Sequence, residues 1–186
     1  DRVDTMELGG KTYTRVVDYK TGTTKFDLRE VYYGLDCQML LYLFTLERNG
    51  GHLFSQGTAA GVEYLWADPA PENIIRPETD DAEPSQAQNY PLEGLLLDEP
   101  SIYHAMDTRG TGAFVPLSFS AKTGEPTAQS AKARLADREK FNRIRDHLDG
   151  MLTDMAKNLY SGEIDAAPLV PNAGKSPCLW CEYRTV

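Results

Sequence analysis

Asp18 and Lys20 stand two positions apart in Val16-Val17-Asp18-Tyr19-Lys20-Thr21-Gly22. Side chains alternate along a strand, so a strand through these residues projects both from one face. A carboxylate beside an amine can hold a hard divalent cation and steady an attacking water, which are the needs of phosphodiester hydrolysis. The plain alternative for Asp-x-Lys is an ion pair on an edge strand. Gln38 and Tyr42 are four positions apart and share one helix face. Gln38 adjoins the apolar run Met39 to Phe44, so a buried amide in need of partners is expected there. Its alternative is an ordinary core glutamine beside a core tyrosine.

These residues need a scaffold, and the spacing supplies one. Residues 1–8 and 11–20 read as two strands joined at Gly9-Gly10, a two-residue hairpin signal. That turn pairs Leu8 with Lys11 and Val3 with Val16, and it sets Asp1 opposite Asp18. Opposed side chains share a face with Cβ atoms about 4.5–5.5 Å apart. Two carboxylates so close repel unless they share a cation or a proton, which makes Asp1 and Asp18 a candidate metal pair. Asp4 points to the other face, pairs with Arg15 and reads as structural.

A helix is expected from Asp27 or Leu28 to Glu47, with Val31, Leu35, Met39, Tyr42, Leu43 and Leu46 at helical spacing. Asn49-Gly50-Gly51 would end it in a left-handed conformation. Residues 58–66 read as a buried strand. Strand, strand, helix, strand is an α/β core. Residues 94–98 and 114–118 read as short strands, and 101–106 as a helical turn. A second long helix is expected from Ser130 to Leu159, carrying Phe141, Ile144, Leu148, Met151, Leu152 and Met155, with Gly162 at its C-cap. Residues 67–93 are rich in Pro, Glu, Asp and Ala and read as a loop or insertion. Residues 173–186 form a tail around Cys178-Leu179-Trp180-Cys181.

The chain has 186 residues, 41% apolar and 25% charged, and suits a single domain with a sizeable core. No apolar run approaches the ~20 residues of a membrane helix. A net charge of −9 argues weakly against a general nucleic-acid-binding surface, which draws on Lys and Arg. Lys132, Arg134, Arg138, Lys140, Arg143 and Arg145 are nonetheless concentrated in residues 132–145, as a solvated helix face or a backbone-tracking patch. Three cysteines do not suggest a secreted disulfide framework, so a reducing, cytoplasmic setting is expected. Cys178 and Cys181 alone fit zinc, a redox pair or half of an iron–sulfur site, because such metal sites need four ligands. Cys37, placed inside the buried helix, is set apart from them. His52, His104 and His147 read as surface or structural. The chain starts at Asp1 within a strand and stops just after the cysteine pair, so it is expected to be a fragment of something larger.

Val-Val-Asp-Tyr-Lys-Thr-Gly, followed by Gln38-Met-Leu-Leu-Tyr42-Leu, resembles the RecB-type nucleases of the PD-(D/E)XK superfamily. The resemblance implies a restriction-endonuclease-like α/β core, with a mixed central sheet flanked by helices. It implies catalytic roles for Asp1, Asp18, Lys20, Gln38 and Tyr42. It also implies Mg²⁺ or Mn²⁺ held by Asp1, Asp18 and the backbone carbonyl of Tyr19. The whole chain, including Gly94-Leu-Leu-Leu-Asp98 and the residues before the cysteines, resembles the carboxy-terminal nuclease region of AddB-type subunits. That implies an exonuclease acting on single-stranded DNA in double-strand break repair and recombination, in complex with an AddA-type helicase. It further implies a 4Fe–4S cluster using Cys178 and Cys181, with its other two cysteines outside this chain. The competing readings are a non-catalytic scaffold lining a DNA channel, or a small stand-alone CRISPR-associated RecB-like nuclease.

Overall fold

A computed structural model describes residues 1–22, 25–52, 56–67, 92–165, 167–169, 178 and 181–182. Most of the 67–93 segment and of the cysteine-bearing tail therefore lies outside the described residues. Strands β1 (Arg2–Leu8) and β2 (Lys11–Lys20) form the expected hairpin, with Leu8 opposite Lys11 and Val3 opposite Val16. Gly9 and Gly10 take φ of 59° and 74°, which residues without a Cβ adopt at little cost. The ladder's last pair is Arg2 with Val17, so Asp1 stands one residue beyond it.

Beyond the hairpin come helices α1 (Leu28–Tyr32) and α2 (Gln38–Asn49), then strand β3 (Thr58–Trp66), which runs parallel to β2. Strand β4 (Leu92–Leu97) lies antiparallel to β3, and the two-residue β5 (Leu135–Ala136) pairs parallel to β4. The result is a mixed five-stranded sheet in the order β1-β2-β3-β4-β5. Helices α3 (Pro100–Met106), α4 (Ala128–Arg134) and α5 (Arg138–Ser161) complete the described elements.

Two expectations are corrected by the helices. The helix drawn from Asp27 or Leu28 to Glu47 is two helices, because Gly34 (φ 82°) and Asp36 (φ 51°) turn left-handed between them. Gly34 also has no room for a side chain, since a Cβ there would meet Met151 Sδ at 2.8 Å. Cys37 is accordingly not inside a helix but at the N-cap of α2, and Leu35 is exposed rather than core. The helix drawn from Ser130 to Leu159 is likewise broken. Leu135 and Ala136 leave it to extend the edge of β4, and Asp137 restarts it by accepting the Lys140 N–H at 2.7 Å. Gly162 ends α5 at φ 76° as expected. At the end of α2, in contrast, Gly50 is right-handed and begins a 3₁₀ turn. Residues 114–118 are not a strand, although Val115 and Leu117 are buried.

One layer of core lies between the sheet and α2, where Met39, Leu40, Leu43 and Phe44 meet Val16, Val62, Leu95 and Leu97. Each such side chain contributes about 1.5–3 kcal/mol when taken out of water. Phe141 and Leu148 of α5 join this layer. The opposite face is covered by Tyr103, Val115, Leu117 and Leu135 packed on Leu96. Among the described residues, no helix is long and apolar enough to cross a membrane.

Candidate active site

Strand β2 is second of five, so Asp18 and Lys20 are on an interior strand rather than at an edge. Burial of β2 is continuous from Tyr13 to Asp18, and exposure returns at Tyr19. Asp18 retains 5% of its surface, and the Lys20 ammonium lies in direct contact with its Oδ2. That oxygen is shielded from solvent and receives no well-formed hydrogen bond, so it keeps capacity for a cation. Tyr19 turns its ring to the other face, where Arg2 donates to its hydroxyl at 2.9 Å. Its side chain is thereby excluded from the Asp18 face.

Tyr64 of β3 stands opposite Asp18 in the parallel register. Its ring lies 5.1 Å below the Lys20 ammonium, and its hydroxyl donates to Asp36 Oδ1 at 2.6 Å. Burial, then the hydrogen bond to Asp36, pushes the Tyr64 phenol far above its ordinary range, so it stays a donor. This bond holds Asp36 in its left-handed conformation two residues before Gln38. The N-terminus of α2 is thus tied to the strand beside Asp18. Gln38 is exposed, which corrects the expectation of a buried amide, and its Nε2 donates to the Tyr42 hydroxyl at 2.9 Å. Tyr42 is 43% exposed. The pair therefore presents polar atoms to solvent from the helix end that Tyr64 and Asp36 anchor near Asp18. Asp1, exposed, sits next in line after the Arg2–Val17 pair, on the strand beside Asp18.

Sequence reasoning missed Asp36 and Tyr64. Asp36 lay in a pattern read as helical, and Tyr64 in one read as plain buried strand. The signal available was Gly34-Leu35-Asp36, a glycine and an aspartate that both tolerate positive φ.

On the opposite sheet face, Arg15 joins Asp4 at 2.7 Å, Glu63 at 3.0 Å and the Phe114 carbonyl at 2.7 Å. The structural role expected for Asp4 is seen there. Burial raises the Glu63 carboxyl to about 7 despite Arg15. For Asp4, burial works upward, but hydrogen bonds from Arg15 and Arg2 outweigh it and hold the carboxyl low. Cys37 Sγ is buried against the carbonyls of Val31 and Leu35 at 3.6 and 3.3 Å. In the tail, the Cys181 N–H donates to the Cys178 carbonyl at 3.3 Å. Among the described residues, no three His, Cys, Asp or Glu side chains gather as a ready-made metal cage.

The model of the PD-(D/E)XK nuclease superfamily matches residues 1–186. The chain belongs to that superfamily. Its mixed sheet with flanking helices has the architecture such nucleases share. The chain is also similar to curated proteins named as the AddB-type component of an ATP-dependent helicase/deoxyribonuclease. Identity is 30% over 190 residues for the protein of Clostridium botulinum (strain Loch Maree / Type A3). It is 31% over 194 residues for that of Clostridium perfringens (strain 13 / Type A), and 32% over 191 for that of Clostridium kluyveri (strain NBRC 12016). In each case the match covers 100% of this chain and 16% of the relative. This PD-(D/E)XK domain thus spans about a sixth of the length of those relatives.

Proposed function

We propose that this domain is a metal-dependent deoxyribonuclease, cleaving single-stranded DNA as the nuclease of an AddB-type protein in complex with an AddA-type helicase. The observation that carries the reading is Asp18: a carboxylate buried on an interior strand, touched by Lys20, with an oxygen left short of hydrogen bonds. A buried carboxylate is costly unless it is paired or holds a metal, and this one has room for both.

The donor set fits a hard divalent cation such as Mg²⁺ or Mn²⁺. Asp18, Asp1 and the backbone carbonyl of Tyr19 would hold it through oxygen alone. When bound, such a cation neutralises charge that develops on the phosphate and makes an attacking water more acidic. Lys20 keeps Asp18 ionised and offers its ammonium to the attacking water or to a non-bridging phosphate oxygen. Gln38 and Tyr42, joined to each other, offer an amide and a hydroxyl that orient the phosphate. Cys178 and Cys181 fit half of a four-thiolate iron–sulfur site, the other two thiolates coming from outside this chain. No step of hydrolysis is assigned to it.

The test is cleavage of a labelled single-stranded oligonucleotide by Asp18→Ala in the complete protein. Loss of cleavage with an unchanged circular dichroism spectrum is expected. Undiminished cleavage would overturn the mechanism. Manganese binding, followed by electron paramagnetic resonance, should weaken at least tenfold in Asp18→Ala and also in Asp1→Ala.

A further inference from the structure

The basic run in residues 132–145 splits into two populations. Arg134 is forked onto Glu93 at 2.7 and 2.8 Å, Arg138 reaches Glu99 at 3.4 Å, and Arg145 lies between Glu47 at 3.5 Å and Asp146 at 3.4 Å. These three charges are spent within the fold. Lys140 and Arg143 are disposed differently. They flank a cleft of about 370 Å³ between α1 and α5. Lys140 Nζ makes no ion pair among the described residues, and Arg143 meets Glu139 at 3.9 Å with both side chains exposed.

The cleft's apolar wall is Leu28, Val31 and Ile144. Its remaining lining is an aromatic pair. Tyr32 and His147 stack with ring centroids 4.9 Å apart and planes 3° from parallel. His147 Nε2 lies 2.9 Å from the Tyr32 carbonyl, which locks the two together, and Tyr33 meets Tyr32 edge-on at 5.3 Å. Tyr32 remains 63% exposed despite these contacts. Lys140, Arg143, Ile144 and His147 fall at i, i+3, i+4 and i+7, one stripe of α5. In a chain of net charge −9, the lining of this cleft contains cations and no carboxylate.

An exposed ring already held in place, an apolar slot and two cations at its rim match the chemistry of an unpaired nucleotide. The base stacks on the ring, and the phosphates meet the cations. A duplex, whose bases are stacked on one another, has no base to insert. The position also suits a substrate path. Tyr32 is four residues before Asp36, so their Cα atoms are within about 14 Å. Asp36 is bonded to Tyr64, beside Asp18 and Lys20.

The geometry points to this cleft as a base-stacking subsite that seats a nucleotide of single-stranded DNA flanking the one being cleaved. This rests on the nuclease reading above. Tyr32 and His147 form the platform, and Lys140 and Arg143 hold the backbone.

Photo-crosslinking with a 5-iodouracil oligonucleotide tests it directly, on the complete protein in EDTA so that no cleavage occurs. The expected adduct maps to Tyr32 or His147, persists in Asp18→Ala and disappears in Tyr32→Ala. In steady-state cleavage, Tyr32→Ala should raise KM for single-stranded DNA by roughly 5- to 150-fold, the value of one base–aromatic stack, with kcat changed less than twofold. Tyr32→Phe should restore the wild-type KM. Arg143→Ala should lower the slope of log affinity against log salt by about 0.7, one phosphate contact on a single strand. Adducts mapping only elsewhere, together with an unchanged KM in Tyr32→Ala, would overturn the subsite and leave the nuclease reading standing. A Tyr32 adduct in a protein whose cleavage survives Asp18→Ala would do the reverse. Loss of association with the helicase partner in Tyr32→Ala, with no adduct at Tyr32 or His147, would mean the cleft seats a protein segment, and would also overturn the proposal.

Discussion

Asp18 gives up nearly all its water on folding, and Lys20 alone does not replace it. A carboxylate buried this way is held ionised by what lies next to it, so each neighbour has a calculable weight. Tyr64 has no acid–base task; it ties Asp36 down beside the strand. Tyr64→Phe removes that donor and leaves a carboxylate with both oxygens short of partners, since Asp36 Oδ2 already has none. The expected cost is about 1–3 kcal/mol of stability by urea titration, together with a fall in kcat as the start of α2 loosens. Equal stability and equal kcat would show that the bond positions nothing. Lys20→Gln should leave the fold intact and lower kcat by at least tenfold at saturating metal, read in single-turnover cleavage.

At the scale of elements, the join between α1 and α2 decides where Gln38 and Tyr42 stand. Gly34 and Asp36 both carry positive φ, and between them they turn the chain so that α2 starts at the sheet end where Asp18 lies. Gly34→Ala strains a left-handed backbone and drives a methyl into Met151. A loss of about 1–3 kcal/mol is expected in thermal or urea unfolding, more than for Gly150→Ala in the middle of α5. The expected single helix failed here because apolar spacing continues across the turn. A glycine within a helical pattern costs about 1 kcal/mol, and here it marked a real break. The second break, at Leu135–Asp137, had a legible restart in the Asp137 cap. Its cause was not legible. Leu135 and Ala136 become strand only because β4 offers a free edge beside them.

Across the whole molecule, Arg15 links β1, β2, β3 and the 114–118 segment through Asp4, Glu63 and the Phe114 carbonyl. The Glu63 carboxyl sits at about 7 in the folded chain, above its ordinary 4.5. The folded state therefore binds more protons than the unfolded state between these values. Stability from this group is full below about pH 4.5, falls as pH rises, and levels off above about 7. Asp4, held low, has the opposite sign and costs stability as pH falls below its ordinary 3.8. Urea unfolding from pH 5 to 7 should show the decline, and Glu63→Gln should flatten it. An identical slope in that variant would exclude Glu63 as its source. Arg15→Ala leaves Glu63 and Asp4 buried without their cation, and about 3–5 kcal/mol is the expected loss.

Local chemistry was readable from sequence wherever neighbours in the chain decide it. The Gly9-Gly10 turn set the hairpin register, and with it the placing of Asp18 and Lys20 on one face and Asp4 against Arg15. Strand β3 and the helical spacing of Gln38 with Tyr42 were readable for the same reason, because periodicity is a property of the chain itself. Tertiary structure alone decided that β2 is interior, that Gln38 faces solvent, and that Tyr64 and Asp36 brace the site. It also decided which cations of residues 132–145 are spent and which rim a cleft. Those outcomes depend on pairings between residues far apart in sequence, and no local spacing encodes which partner a side chain will meet.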